Sequence, residues 1–464
     1  MSAIVAGHAI DSSEKHPKGL YVLFATEMWE RFSYYSMLAM FTLYLRDTSG
    51  QGFAWTSDNA TTLYANYLMF VYASPLIGGW LADRKLGYRK AVMIGGVFFM
   101  AGHLLLSIRS IPMVYVALTC LVIGNGLFKP NISTMVGNLY PEGSHLKDRA
   151  YNIFYMGINV GAFLAPVVAE FVKGRFGFHP AFAVAAGGMA ISVAILWKFK
   201  HHIESVDRAR SGTSLATATS EVALTTDAPP AGVSDQEAAR ASRRGTMEAV
   251  PEWKRIGALV IIYLIVIVFW MVFHQNGSTM TYWANENTDW KVTGIISNAI
   301  NPGWVIILTF PIVWLWKWLD GKGLEPSTPV KMAIGMFLTG AAFFVLFVGA
   351  RVGEATVTDG NPYNFRVSPL WLLGAYAVLT AGELMLSPMG LSLVSKVAPI
   401  RFRGVMMGGW FMATAIGNKL TQIGELWDDW LHSTFWLLLS GLAVLMAFVL
   451  LLLLKPLKKA MPGV

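Results

Sequence analysis

The sequence has one cysteine, Cys120, among its 464 residues. No intramolecular disulfide can form from it, and metal sites built on cysteine clusters are excluded. Charge is scarce as well. Asp, Glu, Lys and Arg make up 14% of the chain, against roughly 25% in a soluble domain, too little to cover a water-facing surface. There is no G-x-x-x-x-G-K-[ST] loop, so nucleotide hydrolysis is not the expected energy source. HExxH and His/Cys clusters are missing too, which leaves an intramembrane enzyme without metal ligands or a nucleophile–base pair. The first residues, about nineteen of them, lack the apolar stretch of a secretory signal, and no cleavable leader is expected. The short alternating segments of a membrane β-barrel are also absent.

What the chain does have is long apolar runs. Hydrophobic residues account for 55% of it, and several runs reach the roughly 20 residues that a helix needs to cross hydrocarbon. The expected class is an all-α polytopic membrane protein embedded in a lipid bilayer. Hydropathy windows place twelve spans, near 20–46, 58–82, 89–108, 112–138, 149–172, 180–198, 254–284, 293–319, 328–350, 368–396, 403–428 and 433–454. Turn chemistry in "SIRSIP", "GFHP" and "EPSTP" separates neighbouring spans.

An even number of spans puts both termini on one side. About 26 basic residues then fall on that side, about 7 on the other and about 3 inside spans, accounting for the 36 present. Both termini are therefore expected to be cytoplasmic. The formal charge of +8 reads as topology, not as a nucleic-acid surface. Residues 199–253 are rich in Ser, Thr, Ala and charge and poor in large apolar side chains, so they cannot bury a core. They are expected to form a cytoplasmic linker between bundles of six helices at 1–198 and 254–464, with a short helix conceivable after Ser234.

The two halves echo each other. "GNGLFKP" (Gly124 to Pro130) in the fourth span parallels "GELMLSP" (Gly382 to Pro388) in the tenth. Repeated halves with prolines at matching helix positions point to a transporter with a central site. Ionisable residues deep within spans mark candidate functional groups, because each costs a few kcal/mol to place there. They are Glu27, Glu30, Arg31, Lys129, His274, Glu383 and Lys419, with His103 a weaker case.

Glu27, Glu30 and Arg31 share one helix face, which Tyr34 continues. Two acids for one base exceed what helix glue needs. Moving the cation, or bringing up another carboxylate, changes the proton affinity of either acid. Lys129 has no acid within a helical turn, and Glu383 in the other half has no base. A cation at one end and an anion at the other suit a zwitterion such as an amino acid or a short peptide. A static Lys129–Glu383 pair is the plain structural alternative. Lys419 reads as structural, and His103 as a satisfied core histidine. Tyr34, Tyr35, Tyr72, Trp270 and Trp410 stand out among the aromatics, because polar or small residues accompany them.

At these residues the chain resembles the proton-dependent oligopeptide transporters of the major facilitator superfamily, bacterial peptide transporters among them. "EMWERFSYY" is similar to the ExxER signature of their first helix. The resemblance continues through "GGWLADRKLGYRK", "GNGLFKPNISTMVGNLY", "YMGINVGAFLAP", "GELMLSPMGLSLVSKVAP" and "MMGGWFMATAIGN". It implies the superfamily fold, with twelve transmembrane helices in two six-helix halves. It implies import of di- and tripeptides together with protons, no cofactor beyond the proton gradient, a plasma-membrane location and a monomer.

By the same resemblance Glu27, Glu30, Arg31 and Lys129 couple protons, while Arg31, Tyr34, Tyr35, Tyr72, Lys129 and Asn159 line one half of the pocket. Trp270, Asn301, Glu383, Ser387 and Trp410 line the other, with Glu383 facing the peptide amino group. Gly79, Asp83 and Arg84 form the gating motif. Two departures stand out. His274 occupies a position that is commonly acidic in the family; its imidazole, with an unperturbed pKa of about 6.5, is a candidate proton-coupling group that can titrate there, and a neutral, hydrogen-bonding ring is expected in the resting state. The linker is too polar to hold the two extra helices that many bacterial relatives carry. Transport of another small solute on the same fold, and nutrient sensing without transport, are the competing readings.

Overall fold

A computed structural model describes residues 16–140, 145–207, 247, 249–358, 360–399 and 402–462. The first half consists of α1 (Lys18–Arg46), α2 (Ser57–Leu81), α3 (Tyr88–Leu106), α4 (Ile111–Asn138), α5 (His145–Phe176) and α6 (Phe178–Lys198). The second begins with α7 (Glu252–Phe273), continued by α8 (Thr279–Glu286). It goes on through α9 (Ser297–Asp320), α10 (Thr328–Glu354), α11 (Pro369–Val397), α12 (Arg403–Leu420), α13 (His432–Leu452) and the short α14 (Leu454–Ala460). Most of the expected linker, including the region of Ser234, lies outside the described residues.

Among the described residues, nine helical segments are long and apolar enough by composition to cross a membrane. The spans α1, α2 and α12 fall short of that measure. With α7 and α8 taken as one crossing, the described residues form the twelve expected helical spans in two sets of six. At 1.5 Å per residue the 29 residues of α1 extend about 43 Å, more than the roughly 30 Å hydrocarbon thickness. This leaves Lys18 and Arg46 free to reach the two interfaces.

Packing repeats between the halves. In the first, α1 lies on α5 and α6, α2 on α4, and α3 on α4 and α6. In the second, α7 lies on α12 and α13, α9 on α11, and α10 on α11 and α13. These are the same pairings shifted by six spans, so the repeat faintly visible in "GNGLFKP" and "GELMLSP" is a repeat of architecture. Between the halves, α2 packs on α12 and α5 on α9, which are again equivalent contacts.

Glycine permits the closest approach. A Cβ on Gly78 of α2 would stand 1.9 Å from the Gly126 carbonyl oxygen of α4, so neither helix could hold its place with a larger residue there.

Three features depart from the sequence reading. The seventh span is not one helix, because His274–Gly277 forms a 3-10 turn between α7 and α8. By contrast, α4 and α11 run through Pro130 and Pro388 without a break. The interruption thus comes at "HQNG", where Asn and Gly weaken the helix, and not at the prolines. His103 is a core residue but not a satisfied one. It is fully buried, stacked on Phe99, and neither ring nitrogen has a hydrogen-bond partner.

Candidate functional site

The site begins on α1. Glu27, Glu30 and Arg31 are each at most 2% exposed. Arg31 grips Glu30 with two parallel hydrogen bonds, Nε to Oε2 at 2.5 Å and Nη2 to Oε1 at 2.6 Å, the bidentate geometry in which guanidinium and carboxylate match best. Glu27 is held differently. Its Oε1 lies 3.4 Å from Arg31 Nε, and its buried Oε2 has no partner. One acid is thus locked to the base, and the other keeps a buried oxygen unsatisfied. A protonated carboxyl suits the second environment, because a charge there would be poorly compensated.

Close approach of α5 shapes this cluster. A Cβ on Gly161 would meet the Met28 carbonyl oxygen at 2.3 Å and Arg31 Cβ at 3.1 Å. Glycine at 161 therefore lets α5 shield the charges from lipid. Arg31 is also ringed by aromatics, its guanidinium carbon lying 4.9 Å from the Tyr34 centroid and 5.9 Å from that of Tyr35.

Lys129 on α4 faces the same space. It is half-buried and has no ion-pair partner among the described residues; its ammonium sits 5.4 Å from the Tyr72 ring centroid on α2. The direct Lys129–Glu383 pair weighed from the sequence is absent. Lys129 is not bonded to Glu27 or Glu30 in this state either, so it stands as a cation without a protein counter-charge in contact.

In the second half, Glu383 on α11 accepts a hydrogen bond from Asn301 Nδ2 at 2.9 Å, and the same amide nitrogen also reaches Thr380 Oγ1 at 3.0 Å. No base contacts Glu383 among the described residues. The first half thus carries the Lys129 ammonium beside Tyr72, and the second the Glu383 carboxyl held by Asn301.

His274, at the C-terminal end of α7, packs on Trp270 at 5.1 Å and edge-on to Tyr72 at 5.7 Å. Its Nδ1 lies 3.1 Å from the Trp270 carbonyl oxygen. Since a carbonyl only accepts, Nδ1 is the donor in this contact.

The remaining expected residues divide into two groups. Tyr34 is buried beside Arg31, and Tyr35, Tyr72, Asn301 and Ser387 are half-buried. Asn159 is largely buried and donates back to the Tyr155 carbonyl. Trp270 is mostly covered, its indole nitrogen without a partner. Trp410 is 2% exposed. It fills the notch left by Gly390, whose Cβ would come 1.8 Å from the Trp410 ring, and in this state it acts as packing against Tyr263.

Two residues went unrecognised in the sequence. Tyr155 is 39% exposed and stands one turn before Asn159 on α5, so the i, i+4 face of "YMGIN" was the available signal. Tyr67, buried near Arg31 with an unpartnered hydroxyl, had no comparable signal. An apolar groove of about 660 Å³ between α1, α5 and α6 is lined by residues such as Met28, Trp29 and Phe32; it offers no charge and is not where the polar groups converge.

Residues 89–425 match the POT family. The chain belongs to that family. Among its relatives is the uncharacterised transporter YclF of Bacillus subtilis (strain 168), 31% identical, with 97% of this chain and 96% of the relative covered. The di-/tripeptide transporter of Lactococcus lactis subsp. cremoris is 30% identical, with 97% of each chain covered. A crystal structure of a peptide transporter POT in complex with sulfate superposes with a TM-score of 0.81 at 28% identity, covering 97% of this chain and 96% of the other. A POT family transporter in complex with 5-aminolevulinic acid gives 0.80 at 25% identity, covering 96% and 97%.

In this POT-family chain the loop after α2 holds the expected gating residues. Gly79 is buried at the end of α2, Asp83 accepts a hydrogen bond from the Tyr88 hydroxyl at 2.8 Å, and Arg84 lies over Trp80. Gly87 makes the turn at a φ of +76°, which only glycine adopts without strain.

The polar ties between the halves collect at the opposite end of the bundle, where α1 ends and α2 begins. Arg46 pairs with Glu286 at 2.8 Å, Thr61 bonds the Tyr282 hydroxyl, Thr62 bonds Glu425, and Lys419 donates to Asn66 at 2.7 Å. Lys419 is thus one of the ties between the halves.

Proposed function

We propose that this chain imports di- and tripeptides together with protons by alternating access. The observation that carries the reading is the pair of opposed, unmatched charges: Lys129 beside Arg31 in one half, and Glu383 without a base in the other. A short peptide has complementary charges at its two ends. Its carboxylate fits Lys129 and Arg31, and its ammonium group fits Glu383, which Asn301 holds in place. Tyr34, Tyr35, Tyr72, Tyr155 and Asn159 offer aromatic faces and hydrogen bonds to the backbone between those ends, as do Trp270 and Ser387 opposite. Trp410 joins them only if the second half repacks around Gly390.

Glu27 is the proton acceptor in this scheme. A proton on it removes the weaker claim on Arg31 and leaves the Glu30 pair intact. Loss of that proton restores two acids for one base, and Lys129 is then drawn toward them and away from the peptide carboxylate. The proton thus favours the loaded state through a difference in affinity between two conformations, the only way a ligand can shift such an equilibrium. No cofactor takes part. His274 stays neutral and serves as a hydrogen-bonding wall. The protein works as a monomer in the plasma membrane, with both termini and the 199–253 segment in the cytoplasm, as the distribution of Lys and Arg supports.

Binding by the two end groups is tested with purified protein and a competition series. Dialanine is expected to displace a labelled dipeptide, whereas N-acetyl-dialanine and dialanine amide, each missing one end charge, lose at least about tenfold in affinity, as expected for one charge-assisted hydrogen bond. Equal competition by all three would remove the peptide-end reading. It would favour transport of another solute on the same fold.

A further inference from the structure

Two contacts at the end of the bundle away from Lys18 have the same chemistry and opposite direction. Asp428, which follows the 3-10 turn after α12, accepts the backbone N–H of Ser57 at 3.1 Å, and the Ser57 hydroxyl bonds the same oxygen. Ser57 is the first residue of α2 in the other half. Glu170, near the end of α5, accepts the backbone N–H of Thr293 at 2.7 Å with one oxygen, and the Thr293 hydroxyl bonds the other. Thr293 leads the turn Gly294–Ile296 that runs directly into α9, also in the other half.

Helix N-termini present unpaired N–H groups and a positive dipole end, which a carboxylate satisfies well. Such caps normally come from the residue next to the helix. Here the Ser57 and Thr293 N–H groups are each capped from the opposite bundle, at α2 in addition to the ordinary cap that Thr56 gives Asn59. In the repeated packing α5 corresponds to α12 and α2 to α9, so the two caps are one contact occurring twice.

We propose that Glu170 and Asp428 are paired latch residues: reciprocal helix caps, exchanged between the halves, that hold this end of the transporter closed and must release together when it opens. The inference rests on the alternating-access reading above, but not on which solute is carried. Each cap is stronger than a hydroxyl-to-hydroxyl tie because one partner is charged. Both sit at the water-accessible rim, Asp428 being exposed and Glu170 half-buried, so water can satisfy the carboxylates and the freed N–H groups once the halves part. Asp428 also lies 3.4 Å from Arg46, which ties the latch to the Arg46–Glu286 pair. The Ser57 bonds can nevertheless be removed without touching that pair.

The test uses the full chain with Cys120→Ser, in nanodiscs and without solute. Spin-label pairs are placed at Arg175 with Lys291 and at Asn59 with Asp429, and distances are read by pulsed electron resonance. The unaltered chain is expected to show mainly the short distance at both pairs. Glu170→Gln and Asp428→Asn should each raise the ratio of long to short distance at both pairs, by about tenfold, the loss of one charge-assisted bond. The double variant should raise it further. Ser57→Pro deletes the N–H and the hydroxyl at a helix position that tolerates proline and should act like Asp428→Asn. Thr293→Val should act in the same direction, and Thr293→Ser should restore the unaltered distribution. Unchanged distances in variants that keep the unaltered melting temperature would overturn the proposal. A change confined to the pair beside the altered cap would overturn it equally, because a latch moves both halves. If the distances respond as expected while dialanine neither binds nor accumulates, the latch stands and the peptide reading fails.

Discussion

Replacing Glu27 with glutamine separates the two acids of α1. The Glu27 carboxylate stands 3.4 Å from Arg31 Nε. At an effective dielectric of about 20, a full charge there attracts the guanidinium by ~5 kcal/mol. Keeping that charge buried, with one oxygen unpartnered, costs several kcal/mol. The two terms nearly cancel, so Glu27→Gln should leave stability within about 1–2 kcal/mol of the unaltered chain. Glu30→Gln is the contrast. It breaks a bidentate pair at 2.5 and 2.6 Å and leaves Arg31 only the looser Glu27 contact at 3.4 Å, which costs about 3–5 kcal/mol.

Function should divide differently. Glutamine at 27 imitates the protonated carboxyl permanently. Counterflow exchange of labelled dialanine in proteoliposomes should therefore persist, while accumulation driven by an inward acid gradient falls at least about tenfold, the equivalent of 1.4 kcal/mol. Melting curves check the first part, and the two uptake assays check the second. Gradient-driven accumulation that survives Glu27→Gln would refute the assignment of the proton to Glu27.

Other substitutions have definite expected outcomes. Lys129→Ala should abolish dipeptide binding in a displacement assay, while Lys129→Arg keeps the charge and should retain part of it. Glu383→Gln should cost a free dipeptide at least about tenfold in affinity but leave an N-acetylated one, already a weak ligand, unchanged; Asn301→Ala should act in the same direction but less strongly. His274→Gln is expected to leave the pH profile of uptake unaltered, because the ring donates to Trp270 as a neutral group; a shifted profile would mean that the imidazole titrates during the cycle. Gly78→Ala should lower the melting temperature by the equivalent of at least about 2 kcal/mol, since the new Cβ would fall 1.9 Å from the Gly126 carbonyl oxygen.

The architecture was legible because hydropathy responds to the bilayer, a solvent that acts on every span alike. The charged residues of the site were legible for the same reason: Glu27, Arg31, Lys129 and Glu383 are conspicuous only against hydrocarbon. Contacts between distant elements were not. Nothing in "EMWER" says that Arg31 grips Glu30 bidentately and leaves Glu27 half-satisfied, because side-chain rotamers make that choice. The break at "HQNG" was hidden inside one long apolar run. Trp410 read as a pocket residue because small residues accompany it, yet the glycine that decides its place, Gly390, lies on another helix. Glu170 and Asp428 had no sequence signal, since the helix ends they cap are more than a hundred residues away.

The central claim, solute movement coupled to a proton, is tested most directly by purified protein in proteoliposomes loaded at neutral pH. When the outside is made acidic, labelled dialanine should rise above its external concentration inside the vesicles and fall back when a protonophore collapses the gradient. Uptake that only equilibrates, and at the same rate with or without the acid gradient, in protein shown to be folded, would contradict it.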